Sequence, residues 1–218
     1  MFKSMITKLL FIAGFCVLII SACSANVMPV CVYDIPKASM GLYQTDKEIR
    51  VYSKPDENSS IVYSKTLNYE NYKGIRSDNF FAVLVPDKEL SYAYVTDVAD
   101  DENWIQIVYD KEKMLKGWIQ KKDDFQFLPW GTFFNMYGRK YGLYRLESKN
   151  GGFNGIYSQP NVNAQIMGKI TRPKFIRMTS VEGCWMLITV LDLNDYTTTG
   201  YLQWCTDDGN ILVFPDIK

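Results

Sequence analysis

The 218-residue sequence predicts an all-β protein in which two tandem copies of one small β-barrel domain follow an N-terminal signal and tether. Short runs rich in valine, isoleucine and aromatic residues alternate with glycine, proline, asparagine and aspartate, a pattern typical of strands and turns. No window of useful length beyond the tether has the spacing of an amphipathic helix. The pattern Tyr-Ser-x-Pro-x-x-Asn-x-x-Ile begins at Tyr52 and again at Tyr157, which indicates a duplicated domain.

Three further pairs of blocks support the duplication. One pair precedes the repeated pattern, and two pairs follow it, first a tryptophan strand and then a glycine-aromatic strand. All three pairs occur in the same order, which predicts a first domain at 40–126 and a second at 141–218. The paired segments are Gly41-Leu42-Tyr43 with Gly142-Leu143-Tyr144, Trp104-Ile105-Gln106-Ile107 with Trp185-Met186-Leu187-Ile188, and Gly117-Trp118-Ile119-Gln120 with Gly200-Tyr201-Leu202-Gln203.

The two copies differ in length between the repeated proline and the tryptophan. Pro55 lies 49 positions before Trp104, whereas Pro160 lies only 25 positions before Trp185. The extra residues fall near 68–101, so we expect an insertion in the first domain, either a hairpin or a long loop. Residues 127–140 join the copies and form an aromatic linker. Four of its aromatic residues form a cluster with two interpretations, cement between the domains or a binding patch: Trp130, Phe133, Phe134 and Tyr137.

The N-terminus has the features of a secretion signal. Lys3 and Lys8 precede an uncharged apolar run from Leu9 to Ile20, which has the length of a signal-peptide core. A membrane span needs roughly 20 residues, so this run is too short for one. The sequence Ile20-Ser21-Ala22-Cys23 resembles the lipobox of bacterial lipoproteins. It predicts a signal peptide at 1–22, lipidation of Cys23 and a tether at 23–39. The alternative is ordinary secretion with cleavage after Ala25.

Lipidation at Cys23 predicts a place in the bacterial cell envelope, anchored to a membrane through its N-terminal lipid. Serine at position 24 resembles an outer-membrane address in Gram-negative lipoproteins, so we expect the outer membrane in preference to the inner one. Without lipidation, the chain is expected to be a soluble secreted or periplasmic protein.

The composition argues against several classes of function. Twenty-four basic and 24 acidic residues give a net charge of zero, whereas a nucleic-acid binder normally carries a basic excess. The chain has no histidine, which removes serine-histidine and cysteine-histidine nucleophile pairs and most zinc sites. The stretch 97–102 lacks the glycine and spacing of a calcium loop, and the pairs Asp123-Asp124 and Asp207-Asp208 are expected in turns. We therefore expect no catalytic residues, metal or cofactor, and a protein that is not an enzyme.

Two cysteines are placed to form a disulfide. Cys184 and Cys205 flank a predicted hairpin that turns at 193–196, so they are expected to lie opposite each other, within bridging distance. The alternative is two buried free thiols. Cys31 is left in the tether without an assigned partner.

The repeated blocks resemble the bacterial SH3-like (SH3b) family, which runs Leu-x-Val-Arg-Ser-x-Pro, then a Trp-x-x-Val strand, then Gly-Trp-Val. The resemblance implies two small barrels, each with bulky side chains pointing inward. The arginine of the family motif is replaced by Tyr52 and Tyr157, which alternation directs away from the core. The expected inward residues are Val51, Ile107 and Ile119 in the first copy, and Ile156, Ile188 and Leu202 in the second.

Members of the SH3b family mostly bind cell-wall peptides, peptidoglycan or partner proteins. The resemblance therefore implies a non-catalytic binding or scaffolding module for cell-wall peptide or peptidoglycan, with two sites that add avidity. Tyr52, Tyr157, Trp104 and Trp185 are candidate ligand contacts, although domain packing for the tyrosines and a core or rim position for the tryptophans are alternatives. The other candidate function is an inhibitor or immunity-type factor that engages one folded partner through the insertion at 68–101.

Overall fold

The computed structural model describes residues 35–75, 78–146 and 155–217. The predicted signal peptide, the lipidation site at Cys23 and the tether cysteine Cys31 lie outside these ranges. Within them, no helix is both long and apolar enough to cross a membrane.

The first copy folds into an antiparallel sheet of eight strands. Its order is β3-β2-β7-β6-β5-β1-β8, and β4 adds to β5 beside this path. Alternating side chains of β2 are buried and exposed, as expected for a strand with one face toward a core. The strands are β1 Gly41–Gln44, β2 Glu48–Tyr52, β3 Ile61–Thr66, β4 Val83–Val85, β5 Leu90–Val98, β6 Trp104–Asp110, β7 Leu115–Gln120 and β8 Phe127–Pro129.

The second copy forms a seven-stranded antiparallel sheet. Its order is β11-β10-β14-β13-β12-β9-β15, and neither sheet closes on itself along its strand order. The prediction of an all-β protein is therefore confirmed. The strands are β9 Leu143–Arg145, β10 Gly155–Tyr157, β11 Ile166–Lys169, β12 Pro173–Glu182, β13 Trp185–Asp192, β14 Thr197–Gln203 and β15 Val213–Pro215.

The two sheets have the same topology once β4 is set aside. Pairing β1 with β9, β2 with β10, β3 with β11, β5 with β12, β6 with β13, β7 with β14 and β8 with β15 converts one strand order into the other. The repeat in the sequence is thus matched by a repeat in the fold.

A short helical segment joins the sheets, here named the linker helix. It consists of α1 Trp130–Phe133, a π-helical turn Phe134–Gly138 and α2 Arg139–Tyr141, and it ends at Gly142, whose φ of 81° suits glycine. The expectation that no window has helical spacing is wrong here, because the linker aromatics recur at i, i+3, i+4 and i+7.

The linker aromatics pack against both copies. Trp130 contacts Phe214 with ring centroids 6.2 Å apart, and Phe134 contacts Trp204 at 4.8 Å. Toward the first copy, the hydroxyls of Tyr92 and Tyr137 are hydrogen-bonded at 2.6 Å. The interpretation of these side chains as cement between the copies is confirmed.

Two hydrophobic clusters make up the core. One lies within the first copy, and the other spans the linker helix, the second copy and the opposite face of the first sheet. Strand β5 serves both, because Ala93 and Val95 face the first cluster while Tyr92 and Tyr94 face the shared one. The six residues expected to point inward are all buried in these clusters: Val51, Ile107, Ile119, Ile156, Ile188 and Leu202.

The insertion of the first copy contributes to both clusters of the core. It contains two 3-10 turns, Tyr69–Tyr72 and Pro86–Lys88, and strand β4, which forms a hairpin with β5. The predicted hairpin is therefore present. Residues 80–85 are all buried and belong to the two clusters, whereas residues 73–75 and 87–89 are exposed.

The last residues of the predicted tether belong to the folded body. Ile35 is buried in the shared cluster, and the Nε1 group of Trp130 donates to the carbonyl of Ser39 at 2.8 Å. Lys37 pairs with Asp208 of the second copy at 3.1 Å. The tether boundary at residue 39 is therefore wrong, because apolar contact and hydrogen bonding hold the chain from Ile35 onward.

Candidate ligand-binding cleft

Each copy contains one tyrosine–tryptophan pair with the same geometry. The rings of Tyr52 and Trp104 meet edge to face with centroids 5.4 Å apart, and those of Tyr157 and Trp185 meet at 5.5 Å. Both interplanar angles are 88°. The four residues proposed as ligand contacts therefore form two equivalent pairs rather than one joint site.

The exposure of these rings differs between the copies. Tyr157 is only 3% exposed and Trp104 only 6%, so neither presents an open ring face. Tyr52 and Trp185 are half-buried and each retains accessible surface. The interpretation as a ring platform is wrong for Tyr157 and Trp104, and it stays a prediction for the other two.

A glycine explains why Tyr157 is covered. A β-carbon at Gly155 would stand 3.0 Å from ring atoms of Tyr157, so the ring lies over a position that has no side chain. The equivalent position in the first copy is Arg50, two residues before Tyr52. Arg50 carries a side chain that would crowd a ring in this position, and Tyr52 is half-buried where Tyr157 is buried.

A cleft of about 300 Å³ opens beside Tyr52. It runs along the ends of β1 and β2 to the end of β7 and the loop that follows it. Ile49 and Ile119 supply buried apolar surface, and the half-buried ring of Phe125 supplies a side wall. The full lining is Tyr43, Thr45, Asp46, Glu48, Ile49, Arg50, Tyr52, Ile119, Gln120, Lys122 and Phe125.

The charged side chains of this cleft balance, with two acids and two bases. Lys122 pairs with Asp46, and its hydrogen bond holds the pKa of that carboxyl below the ordinary value. Arg50 lies 3.9 Å from Glu48, and both side chains are more than 60% exposed. A pair this exposed and this long contributes little, so the Arg50 guanidinium remains available to a ligand.

The floor of the cleft is held by hydrogen bonds. The hydroxyl of Tyr43 accepts from the backbone N–H of Lys122 at 2.8 Å, and burial raises the pKa of this phenol. Behind it, Ser91 shares hydrogen bonds with the hydroxyls of Thr45 at 2.7 Å and Tyr69 at 2.9 Å. The cleft can therefore stack, hydrogen-bond and pair charges, and no cysteine, serine or histidine lines it.

The acidic residues considered for metal binding or catalysis lie mainly in turns. The carboxylate of Asp101 accepts from the backbone N–H of Asn103 at 3.0 Å, and Asp123-Asp124 and Asp207-Asp208 lie in turns as predicted. Across the described ranges, no group of three histidine, cysteine or acidic side chains is placed to hold a metal ion.

Cys184 and Cys205 form a disulfide with their Cα atoms 4.9 Å apart, as predicted. Because Trp185 is opposite Gln203, Cys184 is opposite Trp204 and the bridge runs diagonally, one residue from the expected register. The equivalent residues of the first copy are Asn103 and Lys122. The segment after β7 in the first copy thus lacks this covalent link, and this segment lines the cleft.

No protein-family model matches this sequence, and no curated protein is similar to it.

Proposed function

We propose that this chain is a non-catalytic binding module of the bacterial cell envelope, made of two SH3-like domains, whose ligand is the peptide part of peptidoglycan. The observation that carries the proposal is the open cleft beside Tyr52, at a position where the SH3b motif has arginine. The resemblance of the repeated blocks to a family that binds cell-wall peptides supports this ligand class.

The chemistry of the cleft fits a peptide that carries both carboxyl and amino groups. Arg50 is placed to bind a carboxylate, for which guanidinium geometry is well suited. The carboxylate of Asp46 offers an acceptor for an amine, because an ammonium group of the ligand can replace the exposed Lys122 as its partner. The rings of Tyr52 and Phe125 can pack against short aliphatic side chains.

The covered position of Tyr157 limits the number of sites. Because its ring lies over Gly155 and is buried, Tyr157 borders no open space of the kind beside Tyr52 among the described residues. The proposal therefore assigns one such cleft per chain, with the second copy as its structural support, in place of the two sites suggested by the sequence repeat.

The proposed anchor is the lipid on Cys23, which places the protein in the envelope, on the outer membrane in preference to the inner one. From Cys23 to Ile35 the chain spans at most about 40 Å, so the body stays near the membrane surface. Palmitate labelling of the wild type and Cys23→Ala checks this anchor. Equal labelling of both would favour a soluble secreted or periplasmic protein.

Sedimentation with purified sacculi tests the ligand. The wild type should sediment with the wall, and Tyr52→Ala and Arg50→Ala should remain largely in solution. Tyr196→Ala and Arg177→Ala are matched controls, because both side chains are exposed and neither lines the cleft. A wild type that stays in solution would contradict the proposal, as would equal sedimentation of all variants.

A protein partner bound through the insertion is the second candidate. Its supporting observation is that the insertion occurs only in the first copy and leaves residues 70–75 at the surface, including Ile75, which is 40% exposed. Deleting the insertion would remove core residues 80–85, so Ile75→Asp is the better test. Loss of a specific partner in this variant, without loss of wall binding, would favour the candidate.

A further inference from the structure

A second, larger cleft of about 690 Å³ adjoins the one beside Tyr52. Lys122 and Phe125 line both clefts, so the two spaces lie on either side of the loop after β7. The larger cleft continues over Phe127 and ends near Thr132 of the linker helix. The lining is therefore continuous from Tyr52 to the linker helix.

The floor of the larger cleft is an edge strand. Strand β8 stands at the end of the strand order, and it pairs only with β1 among the described strands. The backbone C=O of Gln126 accepts from the N–H of Gln44 at 3.4 Å, and the N–H of Trp130 donates to the C=O of Met40 at 3.2 Å. The backbone groups of the even-numbered residues therefore point toward β1. Backbone groups alternate along an antiparallel strand, so the N–H and C=O of Phe127 point toward the open edge.

The charge of the larger cleft favours a cationic ligand. Asp101, Glu102 and Asp123 contribute three negative charges, and Lys121 and Lys122 contribute two positive ones. All five side chains are exposed. A peptide with a free amino group on a side chain matches this surface better than a neutral glycan does.

We propose that the two clefts form one groove, in which an extended peptide runs from Tyr52 past Phe125 and pairs with the open edge of β8. Such strand addition uses the backbone groups that an edge leaves unpaired. This inference rests on the proposed function, and it specifies the ligand as an extended peptide with a cationic side chain. A peptide confined to the first cleft would leave Phe127 and Asp123 untouched.

Two soluble wall fragments test the inference, a disaccharide with one stem peptide and the peptide-cross-linked dimer of that unit. The dimer should bind the wild type about tenfold more tightly, because only it is long enough to reach β8. Asp123→Lys should reduce dimer affinity to that of the monomer. Asp124→Lys is the matched control, since this neighbouring acid is exposed but does not line the groove.

Hydrogen exchange provides a second readout that needs no variant. The amide of Phe127 should exchange more slowly with the dimer bound, while that of Leu128, on the side that faces β1, should not change. Equal affinities of the two fragments, or equal effects of the two lysine variants, would contradict this inference alone. If neither fragment binds the wild type, the proposed function fails together with it.

Discussion

The ring of Tyr157 meets that of Trp185 edge to face, with centroids 5.5 Å apart, and Tyr52 and Trp104 repeat this contact in the first copy. The pairs are alike in geometry but differ in what surrounds them. Tyr157 lies over Gly155 and is covered, whereas Tyr52 follows Arg50 and borders an open cleft. The two copies share the pair, but the residue two positions before the tyrosine is Gly155 beside the buried ring and Arg50 beside the accessible one.

Replacing the two tyrosines should have opposite consequences. Tyr157→Ala should lower the free energy of unfolding by about 3 kcal/mol, because it removes a buried ring. Tyr52→Ala should cost less stability but should abolish ligand binding. Chemical denaturation and a binding assay on both variants check the prediction. Equal losses of stability in the two variants would contradict the prediction that the buried ring of Tyr157 contributes more to stability than the half-buried ring of Tyr52.

Loss of the disulfide should destabilise the protein by about 3 kcal/mol, because the bridge closes a loop with a sequence separation of 21. The double variant Cys184→Ala/Cys205→Ala should denature at lower denaturant concentration than the oxidised wild type. Reduced wild type is the control, and it should behave like the double variant. A reduced protein as stable as the oxidised one would contradict the assignment.

The ion pair between Lys65 and Asp78 should be the most costly one to break. The charged atoms are 2.9 Å apart with side chains only 20% and 15% exposed, and the ammonium lies 5.1 Å from the Tyr72 ring centroid. Burial opposes the charge of Lys65, but its hydrogen bonds to Tyr72 and Asp78 outweigh this and raise its pKa. Asp78→Ala should cost about 3 kcal/mol, because an unpaired charge would remain largely buried.

The control for this pair is Asp87→Ala, whose partner Lys73 is 3.7 Å away with both side chains about 45% exposed. It should cost less than about 1 kcal/mol.

The Lys65–Asp78 pair should also make stability depend on pH. Since the pKa of Lys65 is raised, the stability that its charge contributes is fully present below the ordinary lysine pKa and is lost as the pH rises through the raised value. Stability in Asp78→Ala should therefore depend less on pH than in the wild type above pH 10.5.

Asp208 should titrate at unusually low pH. Hydrogen bonds from Thr206 and Lys37 lower its pKa to about 2 from an ordinary value of 3.8. Because the folded-state pKa is lowered, the contribution of this carboxylate is present above the ordinary value and is lost as the pH falls toward about 2. Carboxyl titration by NMR checks this, and Lys37→Ala should move the midpoint upward. An unchanged midpoint in Lys37→Ala would contradict the contact with the N-terminal segment.

The shared cluster should make the two copies unfold together. Phe134 is fully buried against Trp204, so Phe134→Ala should cost about 3 to 5 kcal/mol and lower the stability of both copies. Met136 in the same helix is 47% exposed, and Met136→Ala should change little. Two separate unfolding transitions in the wild type would contradict a shared core.

Local patterns predicted much of this fold. Alternation of apolar residues identified Val51 and Ile156 as inward, and cysteine spacing around a turn predicted the Cys184–Cys205 bridge. The linker helix is not predicted, because an aromatic composition by itself does not distinguish a helix from an irregular linker. The shared core is predicted only in part. Long-range packing decides which face of a strand meets which partner, and no local sequence pattern records it.

The cleft was only partly predictable. The departure from the SH3b motif points to Tyr52, but the same departure predicts an outward Tyr157, which is buried. The difference arises from Gly155 and Arg50, which matter only once strand geometry places a ring beside them. Asp46 lies in the loop between β1 and β2, whereas Lys122 and Phe125 lie in the loop after β7, and no sequence spacing brings these two loops together.

Isothermal titration of the full folded chain with a soluble stem-peptide fragment of peptidoglycan tests whether the cleft beside Tyr52 is the ligand site. We expect saturable binding of one fragment per chain, retained in Tyr196→Ala and lost in Tyr52→Ala. Binding of two fragments per chain, binding unchanged in Tyr52→Ala, or no binding to the wild type would contradict it.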